Sequence, residues 1–131
     1  MTRVLVVDDD SDLREALTDL LDAEGFEVLS AENGLDALNA LESTPVDVIL
    51  LDFMMPVMNG GEFREAQLAR AELAAIPVIL ASPTYTQAEA ERFAPAAVLP
   101  KPFTPEVLLH TLGEVVMASR LWGSRALMPP P

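Results

Sequence analysis

Val4-Leu5-Val6-Val7 and Val48-Ile49-Leu50-Leu51 are apolar at every position, so as strands neither leaves a polar face for water. Such runs fit a parallel sheet covered on both sides, where the period-two alternation of a half-exposed strand disappears. What lies between the runs fits that demand. Leu13, Ala16, Leu17, Leu20 and Leu21 follow the i, i+3, i+4, i+7, i+8 stripe of an amphipathic helix, with Ser11 as the expected N-cap and Gly25 as the residue beyond its end. Strand and helix signals alternate five times along the chain.

The other elements can be read the same way. Phe26 to Ala31 reads as a second strand, followed by an Asn33-Gly34 turn and a helix marked by Leu35, Leu38 and Leu41 that ends before Pro45. The third strand is expected over Val46 to Leu51. A loop containing Pro56 and Asn59-Gly60-Gly61 leads into a third helix carrying Phe63, Leu68 and Leu73. Pro77 opens the fourth strand, Val78 to Ala81. A fourth helix of about two turns is expected from Gln87 to Phe93, then a short fifth strand at Val98-Leu99. Thr104-Pro105-Glu106 starts the last helix, with Leu108, Leu109, Leu112, Val115 and Val116 inside. The expected fold is therefore α/β: a doubly wound, five-stranded parallel sheet in the flavodoxin-like order 2-1-3-4-5, with five helices and right-handed crossovers. Residues 1–120 form the expected domain and 121–131, ending in three prolines, a flexible tail.

Charged groups collect where these strands end. Asp8-Asp9-Asp10 follows the first strand, Asp52 the third, and Lys101 stands between Pro100 and Pro102 after the fifth. In an open α/β sheet, ligands bind beyond the carboxyl ends of the strands, at the point where strand order reverses. In the order 2-1-3-4-5 that point lies between the first and third strands, which brings Asp8, Asp9 and Asp52 together. Converging carboxylates repel one another, and a divalent cation removes that cost. Magnesium prefers oxygen ligands and takes one or two carboxylates plus a phosphate. Asp can also act as a nucleophile, forming an acyl phosphate whose charge a Lys ammonium stabilises. The Asp triplet has a second reading, as charge capping the positive end of the first helix.

These motifs, V-L-V-V-D-D-D at 4–10, V-I-L-L-D-F-M-M-P-V-M-N-G at 48–60, P-V-I-L-A-S at 77–82 and L-P-K-P-F at 99–103, resemble the receiver domain of two-component response regulators from about Thr2 to Ala118. The resemblance implies Asp52 as phosphoacceptor, Asp8 and Asp9 as the magnesium-holding pair and the Met54 backbone carbonyl as a further metal ligand. It also implies Ser82 as the hydroxyl switch, Lys101 as the phosphate-binding amine and a cis bond before Pro102. Such a domain takes a phosphoryl group from a histidine kinase or phosphotransfer protein and changes a contact with a downstream protein. Two positions depart from the pattern: Pro83 stands where a small residue is usual, and Val98 where an aromatic ring is usual. They keep open a pseudo-receiver, an interaction module that works without phosphorylation.

Composition narrows the rest. A net charge of −13 argues against nucleic acid or anionic membrane as direct partners. No apolar run nears a membrane span. The absence of cysteine fits a cytoplasmic location. A phosphatase of the haloacid dehalogenase type would need a second Asp two residues after the nucleophile, where this chain has Met54, so an enzyme is not expected. His110, the single histidine, reads as part of the last helix's surface.

Overall fold

The computed structural model describes residues 2–53, 55, 58–83, 88 and 92–122. Five strands, β1 (Arg3–Val7), β2 (Glu27–Ala31), β3 (Val48–Asp52), β4 (Val78–Ser82) and β5 (Ala97–Pro100), form one parallel sheet in the order β2-β1-β3-β4-β5. The order is the expected one. Every residue of β3 and β4 is buried, as continuous apolar runs require. Pro100, which cannot donate to a ladder, lies on the edge strand β5.

The sheet's two faces carry separate cores. Leu5, Val7, Ile49 and Leu51 pack with Ala37, Leu41 and Phe63 from α2 (Gly34–Ser43) and α3 (Gly60–Leu68). Val4, Val6, Val48 and Leu50 face Leu17 and Leu21 of α1 (Ser11–Ala23) and Leu108, Leu112 and Val115 of α5 (Pro105–Trp122). Successive strand residues thus serve opposite layers, and the β3 end is fixed from both sides.

Local chemistry departs from expectation in three places. The N-cap of α1 is Asp10, not Ser11: its carboxylate accepts from the Asp12 and Leu13 amides, and Ser11 is the first helical residue. The capping reading of the Asp triplet therefore holds for Asp10. The third helix is not continuous to Leu73. It stops at Leu68, which is exposed, and restarts as the single turn α4 (Ala71–Ala74). The cause is Gln67, whose fully buried amide donates to the carbonyls of Leu73 (2.9 Å) and Ile76 (3.0 Å) and draws the chain back. The last helix runs to Trp122, two residues into the stretch read as tail. Gly25, with φ +92°, takes the left-handed position expected after α1. Of the fourth helix expected at 87–93 only Ala88, Arg92 and Phe93 are described, all three helical; residues 123–131 lie outside the described residues.

Candidate phosphoryl-transfer site

The β1 and β3 ends converge because Val4–Val7 pairs in register with Val48–Leu51. Asp8 follows β1 directly and Asp52 closes β3; both are nearly inaccessible, at 3% and 5% exposure, while Asp9 is exposed. Oxygen atoms of Asp8, Asp9 and Asp52 lie within 4.8 Å of one another. Backbone bonds set Asp8: its amide donates to Ala31 O (3.1 Å), its Oδ1 accepts from the Asp10 amide (2.9 Å), and its carbonyl accepts from Arg14 Nη1 (2.6 Å).

Lys101 enters from β5. Its amide donates to the Ser82 carbonyl at 2.9 Å, and its Nζ lies 3.1 Å from Asp8 Oδ2 and 3.4 Å from Asp52 Oδ1. Burial is the largest single influence on this ammonium and lowers its pKa, but the two carboxylates together outweigh it and hold the pKa above the ordinary lysine value. Lys101 is thus a fixed cation. Three carboxylates outnumber the one ammonium that pairs with two of them. Hard oxygen donors at this spacing, two buried and one open to solvent, suit magnesium, which keeps several waters and accepts few protein ligands. The acidic cluster fits the ion.

Ser82 ends β4, buried, with Ala81 paired to Asp52 across the sheet. The Lys101–Pro102 peptide is cis, as the resemblance implies. Met54 falls outside the described residues. Pro83 is exposed at the strand end, and Val98 is half-buried on β5 opposite Leu80. His110 is exposed on α5, 3.0 Å from Glu114, and takes no part in the site.

Two further residues support the site. Arg14, one turn into α1, holds the Asp8 carbonyl; its signal was its position four residues after the capping Asp10, which turns it back toward the strand end. Gly60 is the second. A Cβ there would sit 2.7 Å from Phe53 Cα and 2.9 Å from the Asp52 carbonyl oxygen, both main-chain atoms. Only glycine lets α3 start against the phosphoacceptor candidate's own backbone, where Gly60 N–H donates to Phe53 O at 3.0 Å. Gly60→Ala should therefore cost about 1–3 kcal/mol and lower the melting temperature by several degrees, with Asp52 displaced. A variant melting with the wild type would contradict this close approach.

Comparison with known proteins agrees with the geometry. The family model described as response regulator receiver domain matches residues 4–113. The chain is 34% identical over 119 residues to Protein PilH of Pseudomonas aeruginosa, covering 88% of this chain and 98% of that one. It is 35% identical over 126 residues to Sensor histidine kinase RcsC of Salmonella typhimurium, spanning 94% of this chain but 13% of RcsC. The crystal structure of chemotaxis protein CheY4 from Vibrio cholerae superposes with TM-score 0.83 at 34% identity, covering 88% and 98% of the two chains. With strand order, acidic cluster and family match in agreement, the chain belongs to the response regulator receiver domain family.

Proposed function

We propose that the protein is a phosphoacceptor switch that receives a phosphoryl group on Asp52 from a histidine kinase or phosphotransfer protein. The observation that carries this reading is the buried carboxylate of Asp52 held 3.4 Å from Lys101 Nζ in the same cluster as Asp8 and Asp9. In the transfer, an Asp52 carboxylate oxygen attacks the phosphorus of the donor phosphohistidine. The P–O bond forms as the P–N bond breaks, and the leaving imidazole takes up a proton. Asp8 and Asp9 would hold magnesium with Asp52, Asp9 as the more direct ligand, and the Met54 carbonyl would join them. Bound there, the ion would neutralise charge on the transferring group. Lys101 pairs with the new phosphoryl oxygens, leaving Asp8 and Asp52 less tightly held, and the Ser82 hydroxyl donates to one of those oxygens. The role proposed is signalling, as for the receiver family, and not enzymatic.

Output is proposed to be a protein–protein contact. A charge of −13 opposes direct nucleic-acid or membrane binding, and no helix among the described residues is long and apolar enough to cross a membrane. A cytoplasmic location belongs to the same reading, as does the division into a domain at 1–120 and a tail at 121–131. Pro83 and Val98 favour the second reading, a pseudo-receiver. Incubation with a small-molecule phosphodonor and magnesium separates the two: the switch takes up one phosphoryl group, the pseudo-receiver none.

Magnesium should raise thermal stability by relieving repulsion in the cluster, as any ligand of the native state does by mass action. Asp9→Ala should abolish that magnesium-dependent shift, and it should raise the stability of the metal-free protein because one repelling charge is gone. An undiminished shift would place the ion elsewhere.

A further inference from the structure

The phosphoryl-transfer chemistry leaves a buried cation unused. Arg64 follows the fully buried Phe63 on α3 and is itself 6% exposed. Its Nε donates to the Phe93 carbonyl at 2.7 Å, its Nη2 to the Ala94 carbonyl at 3.0 Å and its Nη1 to Gln67 Oε1 at 2.8 Å. The two carbonyls close a helical stretch that contains Arg92 and Phe93, where helix ends leave acceptors unmatched. That end is strained. Ala94 has φ 42°, a left-handed value that an L-residue adopts at a cost, directly before Pro95. Such a conformation persists only where its surroundings over-determine it.

The strained end also touches the phosphoacceptor's strand. The Phe93 ring, 4% exposed, meets the Phe53 ring edge-on with centroids 5.4 Å apart and planes at 61°. Phe53 is the residue after Asp52; its amide donates to Ala81 O in β4 (3.1 Å), so it cannot move independently of the strand ends. A Cβ on Gly61 would lie 3.0 Å from Phe93 Cζ, so α3 closes one side of the ring. On another side lies a solvent-open groove of about 350 Å³ lined by Phe53, Gly61, Glu65, Ala88, Arg92 and Phe93.

We infer that the Phe53–Phe93 ring pair carries a shift at Asp52 to the turn at 92–96, with Arg64 as the positioning residue that holds this turn in its strained resting state. The inference rests on Asp52 being the phosphoacceptor. A phosphoryl group adds charge and bulk to an already anionic cluster, and Phe53 moves with the β3 end. Packed rings have discrete arrangements, not a continuum. The strained turn, held only by its surroundings, is the element that can answer a shift at Phe53.

Amide exchange of the wild type with and without phosphodonor and magnesium tests the coupling, with phosphate counted by intact mass in the same samples. Exchange at 92–100 should change by at least about threefold on phosphorylation. Phe93→Leu should take up phosphate within about twofold of wild type yet lose that change, since a smaller side chain no longer bears on Phe53. Arg64→Met should exchange about tenfold faster at 92–96 before any phosphorylation, because the carbonyls lose their donors. Should Arg64→Met fail to unfold cooperatively, Phe93→Leu decides. Phosphorylated wild type with 92–100 silent, or Phe93→Leu responding as fully as wild type, overturns the coupling alone. Resting exchange equal to wild type in a folded Arg64→Met overturns the anchor. A wild type that takes up no phosphate overturns the phosphoacceptor reading and the coupling together.

Discussion

Asp52→Asn is expected to reduce phosphate incorporation by at least about 10³-fold, the scale on which removal of a nucleophile acts. The amide matches the carboxylate in shape, so the β3 end and its pairing with Ala81 should persist. It cannot form an acyl phosphate. The substitution also removes one of three carboxylates that face a single ammonium, so the metal-free variant should be more stable than wild type by about 1 kcal/mol. Loss of labelling with retained or raised melting temperature distinguishes a missing nucleophile from a misfolded site. Undiminished labelling would assign the phosphoryl group to another residue.

Lys101→Ala should act in the opposite direction on stability. Its Nζ bridges Asp8 and Asp52 in the resting protein, so removal takes away the ammonium between two buried carboxylates. Breaking a buried pair costs about 3–5 kcal/mol, and partial solvent access at Lys101 reduces this to about 2 kcal/mol. The metal-free variant should melt lower by roughly 5–10 °C for a domain of this size. Magnesium should restore most of that difference, since it supplies charge at the same carboxylates. Phosphorylation should still occur on Asp52, more slowly, but the added group would lack its partner and the conformational response should vanish. Amide spectra of phosphorylated wild type and variant that coincide would contradict this role, as would a metal-free variant melting with the wild type.

The sheet order was legible because β1 and β3 are uninterrupted apolar runs and the intervening stripes have helical period; the two demands together admit few topologies. The convergence of the charged residues was legible for the same reason. Asp8, Asp9, Asp52 and Lys101 sit at strand ends, and strand ends converge whatever the loops do. What sequence hid was polar chemistry inside the core. Gln67 and Arg64 carry no sequence signal of burial, yet both are buried, and backbone carbonyls of Leu73, Ile76, Phe93 and Ala94 meet their donors. Those partners lie 6 to 30 residues away in sequence, beyond any local pattern. The N-cap was missed by one residue because Asp10 and Ser11 are both good caps, and the strand end decides between them.

The account turns on one covalent bond, an acyl phosphate at Asp52. After incubation with phosphodonor and magnesium, borohydride reduction cleaves an acyl phosphate and leaves the aspartate as homoserine, which peptide mass mapping assigns to a position. The account predicts homoserine at residue 52 in wild type, dependent on phosphodonor and magnesium, and none in Asp52→Asn. Homoserine at Asp8 or Asp9 in place of Asp52, or none at any residue despite magnesium binding, would contradict it.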